Sequence, residues 1–392
     1  MKKSYIAPVL LAALAISAPT ARAAGTYDIN VVLPLSGGAA FVGQGQQKTL
    51  DVLASYVNKT GGVQGRKLRF SFHDDQSSPQ VAVQLTKAVL QSHPSVIMGS
   101  SIVAMCLAMA PLVHNGPVHY CLSPAIHPKA GGYVFSASAD SKDQIAAVVR
   151  YYRMKGWTKL AVLDTTDASG LDGDRSIAAV LAYPENKGVM KEVALEHFNP
   201  TDVSIAAQIE RIKQSGAQAL IAWVTGAPAA TVFRGMIQGG LDIPVAPTSG
   251  NQTFAAMRLW KSFLPKRLIL ASALYPPHAG KVKLAPAVEK AQGDMYAILK
   301  ANHLKADNMV ATSWDAGLIV VSGLRKLGVK ASASQLRNYI ANLTGFAGVD
   351  GEYNFKKYPQ RGLGPKESTV TTYDAKTQSW VWLSKPGGAP LK

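Results

Sequence analysis

Small hydroxyl side chains gather at five places where an apolar run gives way to a helical pattern. These are Met98-Gly99-Ser100-Ser101, Leu122-Ser123-Pro124-Ala125, Thr165-Thr166-Asp167-Ala168-Ser169-Gly170, Thr225-Gly226-Ala227 and Thr248-Ser249-Gly250-Asn251. A hydroxyl with no adjacent base exchanges hydrogen bonds but does not attack, so such loops hold a ligand without transforming it. Backbone amides at a helix start add unpaired donors and a partial positive end, a combination suited to a carboxylate. Capping and turn formation account for any one of these loops; five at equivalent places point to a binding rim. Motifs for covalent, metal or nucleotide chemistry are missing: the chain has no G-x-S-x-G, H-E-x-x-H, P-loop or C-x-x-C. Gly43-Gln-Gly45-Gln-Gln-Lys48 opens like a dinucleotide fingerprint, but Lys48 stands where a third glycine is needed. A flexible loop feeding a helix N-terminus is the expectation there. His93, His114, His119 and His127 fit no ligand spacing, so solvated or core histidines are expected and no metal. Asp74 and Asp75, adjacent on a strand, point to opposite faces and do not readily share a proton. They read as the polar end of a strand and the start signal of a helix.

Alternating strands and helices are the elements that must position these loops. Residues 29–33 form a short apolar strand, and Leu50, Leu53, Ala54 and Val57 follow at helical spacing up to Gly61-Gly62. Leu68, Phe70 and Phe72 alternate as in a half-buried strand, Val81, Leu85, Ala88 and Val89 mark a helix, and residues 95–98 and 117–122 add two strands. From about Asp140 the pattern restarts, with strands at 160–163, near 193, at 219–224 and at 243–245 separated by helices. Repeated β-α-β order predicts mostly parallel sheets with helices on both faces, and the restart predicts a second α/β unit of similar build. After a strand at 268–273, helical patterns through Val288–Ile298, Val310–Leu324 and Leu336–Leu343 lead to two antiparallel strands around 369–373 and 380–383. The five hydroxyl loops then lie at strand C-termini, the edge where open α/β sheets bind ligands.

Composition and compartment narrow the function. Lys2 and Lys3, the apolar run over 6–16 and Ala21-Arg22-Ala23 read as a secretory signal, with the mature chain expected to start at Ala24. That run is far short of the ~20 residues that span a bilayer. The remaining residues exceed what one core serves, since single cores stop growing near ~250 to 300 residues, so two domains are expected. The formal charge of +17 includes three cations of the signal, leaving +14. A basic surface steers anions; with no clustered Lys and Arg interleaved with aromatics, nucleic acid is not expected as a partner. Cys106 and Cys121 are compatible with one disulfide or with two buried thiols.

A family resemblance rests on Val32-Leu33-Pro34-Leu35-Ser36-Gly37, on Asn58-Lys59-Thr60-Gly61-Gly62-Val63-Gln64-Gly65-Arg66-Lys67-Leu68 and on His73-Asp74-Asp75. Thr201-Asp202, Ile209, Ile212, Lys213, Gly239-Gly240-Leu241 and Pro244 add to it. The chain resembles, over essentially its whole mature length, the periplasmic solute-binding proteins of branched-chain amino acid type ABC importers. That resemblance implies a type I periplasmic binding fold. It has two similar doubly wound, mostly parallel α/β lobes joined by three crossovers, here expected near 136–140, 271–275 and 344–349. The N-terminal lobe is expected over 24–138 plus 274–346 and the C-terminal lobe over 139–273 plus 347–392. It further implies a periplasmic monomer without cofactor or enzymatic activity that closes on a small carboxylate and delivers it to a permease in the inner membrane. A module sensing a ligand for a membrane receptor is the alternative.

The family's carboxylate-binding loops match Ser100, Ser101 and Val103 and Ala125, Ile126 and His127 in the first lobe. In the second lobe, Ser169, Thr225, Ser249 and Asn251 are expected at the ligand, with Phe41 and Trp223 as flat apolar walls. Ser169-Gly170 stands where Tyr-Gly is common, and 248–251 offers no Glu where the family holds an ammonium group. Asp167 is the one nearby acid. An unpaired ammonium in a closed cleft costs several kcal/mol, so the expected ligand is either an amino acid, with Asp167 as the substitute ammonium partner, or another small carboxylate, branched-chain or aromatic.

Overall fold

The computed structural model describes Met1 and residues 25–277, 280 and 282–391, so the proposed signal segment beyond Met1 lies outside the described residues. The first unit runs β1 (Tyr27–Leu33), α1 (Ala40–Lys59), β2 (Leu68–Asp74), α2 (Pro79–Leu90), β3 (Val96–Gly99), α3 (Val103–Met109), β4 (Val118–Cys121) and β5 (Val134–Ser136). Its strands form one parallel sheet in the order β2-β1-β3-β4-β5. The apolar run of β1 explains its central place. Ile29, Val31 and Leu33 enter the main core on one face while Val32 enters a separate cluster on the other, so both faces need cover.

The second unit repeats this build. It contains α4 (Ser141–Met154), β6 (Lys159–Thr165), α5 (Ala168–Leu181), β7 (Lys191–Phe198), α6 (Ala206–Gln214), β8 (Ala219–Ile221), α7 (Ala227–Gln238), β9 (Val245–Ala246), α8 (Phe254–Leu259) and β10 (Leu270–Ser272). Its parallel sheet is ordered β7-β6-β8-β9, the arrangement of the first four strands of the other sheet. Leu160 and Val162 of β6 face one cluster, Ala161 and Leu163 the other. A parallel bridge from Val245 to Leu268 extends the sheet beyond β9.

The rest of the chain returns to both units. α9 (Pro286–Ala301) and α10 (Asn308–Leu327) pack on α1, and α11 (Ala333–Ala341) packs on β4. The α1–α10 approach is close because Gly317 has no side chain: a Cβ there would sit 2.4 Å from Leu53 Cδ2. After the hairpin β11 (Thr344–Ala347) and β12 (Glu352–Asn354), β13 (Thr369–Asp374) and β14 (Ser379–Trp382) join β10 in an antiparallel sheet. The chain therefore crosses between the units after β5, after β10 and around β11–β12. Buried Asp315 of α10 fastens the last crossing, accepting hydrogen bonds from the amides of Val349 (2.9 Å) and Asp350 (3.0 Å) and from Tyr353 Oη (3.1 Å).

One sequence expectation changes at the start of α1. Gly43 and Gly45 do not form a loop; they lie inside α1, which starts at Ala40. Both serve close packing, since a Cβ on Gly43 would meet the Pro34 carbonyl oxygen at 2.2 Å and one on Gly45 would meet Met309 Cβ at 3.3 Å. Asp74 and Asp75 have separate partners, as their opposed faces require: Asp74 accepts from Leu35 N and Ser36 Oγ, Asp75 from Ser77 N and Ser100 Oγ. His119 is fully buried, its Nε2 on the Gly99 carbonyl, and burial pushes its pKa down to about 4. Among the described residues no helix is long and apolar enough to cross a membrane, and no group of His, Cys, Asp and Glu is placed to hold a metal ion.

Cys106 of α3 and Cys121 of β4 form a disulfide, which settles the alternative left open by the sequence. It joins the helix that follows one hydroxyl loop to the strand that precedes another. Cross-linking residues 15 apart stabilises by about 3 kcal/mol through the unfolded chain. Replacing both cysteines with alanine is expected to lower the unfolding free energy in urea by about that amount; an unchanged midpoint would show that the bridge carries no stability.

Candidate functional site

All five hydroxyl loops lie at C-terminal strand ends, and the two sets face each other across a cleft. The rims touch: a Cβ on Gly226 would lie 3.1 Å from the Gly38 carbonyl oxygen. Between them lies a cavity of about 40 Å³. Ser101, Val103, Ser123 and Ala125 line it from the first unit, and Ser169, Trp223, Thr225 and Thr248 from the second. A third wall comes from Ser141 at the start of α4 and from Asn308, Met309 and Thr312 in the first turns of α10. Among the described residues no charged side chain lines the cavity.

Many of the polar groups around it already have partners. Ser101 Oγ donates to Gln46 Oε1. Thr225 and Thr248 share a 2.6 Å hydroxyl contact, and Asn251 fixes the loop behind them, accepting from Gly226 N at 2.9 Å and donating to the Val224 carbonyl at 2.7 Å. The α5 N-terminus is occupied as well: Asp167 Oδ1 accepts from Ser169 N (3.0 Å), Gly170 N (3.2 Å) and Thr165 Oγ1 (2.8 Å). Those amides are therefore not open to a ligand, and Asp167 is a helix cap outside the cavity lining. Under Trp223, Asp164 accepts from the Trp223 amide at 2.6 Å, and burial raises its carboxyl pKa well above the ordinary range. Burial thus favours its neutral form.

What remains unpartnered is informative. Ser141 Oγ, Thr312 Oγ1, Asn308 Oδ1 and Gln46 Nε2 are buried without a hydrogen-bond partner. A buried polar group left unmet costs about 1–3 kcal/mol. Three of these residues line the cavity and the fourth holds Ser101 in place. Two hydroxyls and an amide N–H can donate there, and one amide oxygen can accept. The first-turn amides of α3 have no intrahelical acceptor.

Of the twelve residues expected at the ligand, the structure brings Ser101, Val103, Ala125, Ser169, Trp223 and Thr225 to the cavity. The other six do not line it. Phe41 packs edge-on against Trp260 with ring centres 5.9 Å apart. Ser100 donates to Asp75 at 2.5 Å, and Asn251 braces its own loop. Ser249 is buried beside the cavity with an unpartnered hydroxyl. Ile126 packs around the disulfide, and His127 turns toward Asp140 and Asp172. The α10 wall was missed because its sequence reads as a core helix. Asn308 and Thr312 are one turn apart on one face, and only the fold places that face on the cleft.

The geometry has counterparts among known proteins. Residues 26–377 match the periplasmic binding protein family. A Leu/Ile/Val-binding protein homolog of Brucella melitensis is 25% identical over 217 residues, 53% of this chain and 58% of that protein. This chain thus aligns with little more than half the length of that relative. The isoleucine complex of a branched-chain amino acid transporter substrate binding protein from Streptococcus pneumoniae superposes with TM-score 0.73 at 17% identity, covering 88% of this chain and 95% of that one. An ABC transporter solute binding protein from R. palustris in complex with benzoate gives TM-score 0.73 at 18% identity, covering 94% and 98%. These likenesses establish the type I periplasmic binding fold, and with a family match over nearly all described residues the chain belongs to the periplasmic binding proteins.

Proposed function

We propose that this protein is the periplasmic substrate-binding component of an ABC importer and captures a small carboxylate that carries no ammonium group. The lobes are residues 24–138 plus 274–346 and 139–273 plus 347–392, closing as a monomer and presenting the closed form to a permease. The observation that carries the reading is the cavity lining, which holds unpartnered neutral donors and no acid. Neutral donors in a dry cleft suit a carboxylate, whereas an ammonium group there is desolvated without a counter-charge. The complexes with isoleucine and with benzoate show that proteins of this fold serve both chemistries, and the lack of an acid in the lining supports the second reading for this chain. Val103, Met309 and the Trp223 ring supply an apolar wall for a branched or aromatic substituent.

The energies are modest. Micromolar capture corresponds to about 8 kcal/mol. A few charge-assisted hydrogen bonds and one buried apolar group supply this, and no covalent step is needed.

Thermal unfolding in the presence of acetate, isovalerate, 2-oxoisovalerate, benzoate and leucine tests the reading. An acid without an amine is expected to raise the midpoint, by about 2.7 kcal/mol of stability at a hundredfold excess over its Kd. Leucine as the best of the panel, or no response to any acid, would refute it. Thr312→Val and Ser141→Ala are each expected to weaken the best acid by about five- to tenfold with little change in unliganded stability, because each removes one donor that has no other partner. Ala125→Leu fills the cavity and is expected to abolish the midpoint shift. Titration calorimetry on the three variants checks both outcomes.

A further inference from the structure

His127 and Asp172 come from opposite sides of the cleft. His127 lies on the first unit's segment between β4 and β5, and Asp172 lies on α5 of the second unit. The histidine Nε2 is 2.5 Å from Asp172 Oδ1, and its Nδ1 is 3.2 Å from Oδ2 of Asp140, the N-cap of α4 at the first crossing. Only imidazolium donates from both ring nitrogens, so two carboxylates at the two nitrogens specify the charged form. Asp140 also meets Nη2 of Arg361 at 3.3 Å. Arg361 is buried, and it donates to the carbonyls of Pro124 (3.0 Å) and Ile126 (2.6 Å) and to Ser136 Oγ (2.8 Å). One unbroken line of charges therefore runs from the second unit's α5, through the first unit's rim and the first crossing, to the segment beyond the third.

We propose that His127 is the latch of the closed form: as imidazolium it ties Asp172 across the cleft, and opening must separate this pair. The proposal rests on capture by closure of two lobes, but His127 is a positioning residue and touches no ligand. Asp172 is 1% exposed at its side chain and its Oδ2 has no other partner, so a closed form without the imidazolium would hold an unpaired buried carboxylate. His127 itself is 47% exposed at its side chain, so it exchanges its proton freely with solvent.

The hydrogen bonds to Asp140 and then Asp172 push the His127 pKa up from 6.5 to about 9. A raised value means that the contribution to closure is complete below about 6.5 and is lost as pH rises through about 9. The other charged groups around it are Asp140 and Asp143 with Lys142 on the α4 side, Arg361, and Glu367 beyond Asp143. Burial works against the Asp140 carboxylate, but His127 and Arg361 hold it at about 2, while burial raises Asp143 to about 6. Asp140 is ionised throughout this range and Asp143 finishes titrating by about pH 8, which leaves about pH 8 to 10 as the window for His127 alone.

Two measurements test the latch. Nuclear magnetic resonance of the His127 ring without ligand is expected to give a titration near pH 9 that falls by a unit or more in Asp172→Asn. Titration near the ordinary value in the wild type overturns the proposal. Small-angle scattering with and without benzoate reads closure. The wild type is expected to expand between about pH 8 and 10, and His127→Gln to be expanded throughout, with its closed-to-open ratio lowered roughly tenfold at pH 7. If compaction ignores both pH and His127→Gln while benzoate still binds, the latch is wrong and capture stands. If the scattering follows pH and His127 as stated but no acid binds, the latch stands and the assigned ligand class is wrong.

Discussion

Parallel strand pairing is the constraint from which the site follows. When strands run the same way, each carboxyl end, the loop after it and the start of the next helix come to one edge of the sheet. In both units the strand order turns back at the first strand, β1 between β2 and β3 and β6 between β7 and β8, which opens a crevice at that edge. The crossings after β5 and β10 and around β11–β12 hold the two edges opposite one another. No hydroxyl loop has to be shaped alone; each is delivered to the cleft by the sheet beneath it.

The cleft keeps charge out of its centre and concentrates it at the margin. Asp164, the acid nearest to Trp223, is raised by burial, and Asp167 is absorbed in capping α5. The full charges stand instead along Asp172, His127, Asp140 and Arg361, where each meets an opposite sign. This division is physically economical. A fixed charge inside a dry cavity would have to be desolvated whether or not a ligand arrived, whereas neutral hydroxyls and amides are cheaper to bury and strengthen when an anion meets them.

The sequence carried the repeated α/β order, the parallel sheets and the terminal antiparallel pair because these rest on local periodicity and turn residues. Half of the expected ligand residues reach the cavity, all from the loops that follow strands or from the first turns of the helices after them. The misses have specific causes. Gly43 and Gly45 looked like loop residues, but their glycines serve packing against Pro34 and Met309, a contact invisible along the chain. Asn308 and Thr312 belong to a helix whose pattern is dominated by its buried face, and their approach to the cleft depends on how α10 lies against α1. His127 sits in a ligand-loop motif, yet two carboxylates distant in sequence claim both of its nitrogens.

The Cys106–Cys121 bridge gives the two jaws unequal stiffness. In the first unit it covalently couples α3 to β4, the elements flanking two of the hydroxyl loops. The facing loops of the second unit are held by hydrogen bonds among Thr225, Thr248, Asn251 and neighbouring backbone. One jaw therefore acts as an anvil and the other as a compliant pad. A side-chain change in the second unit's loops is absorbed by shifting hydrogen bonds, whereas one beside the bridge works against a covalent link.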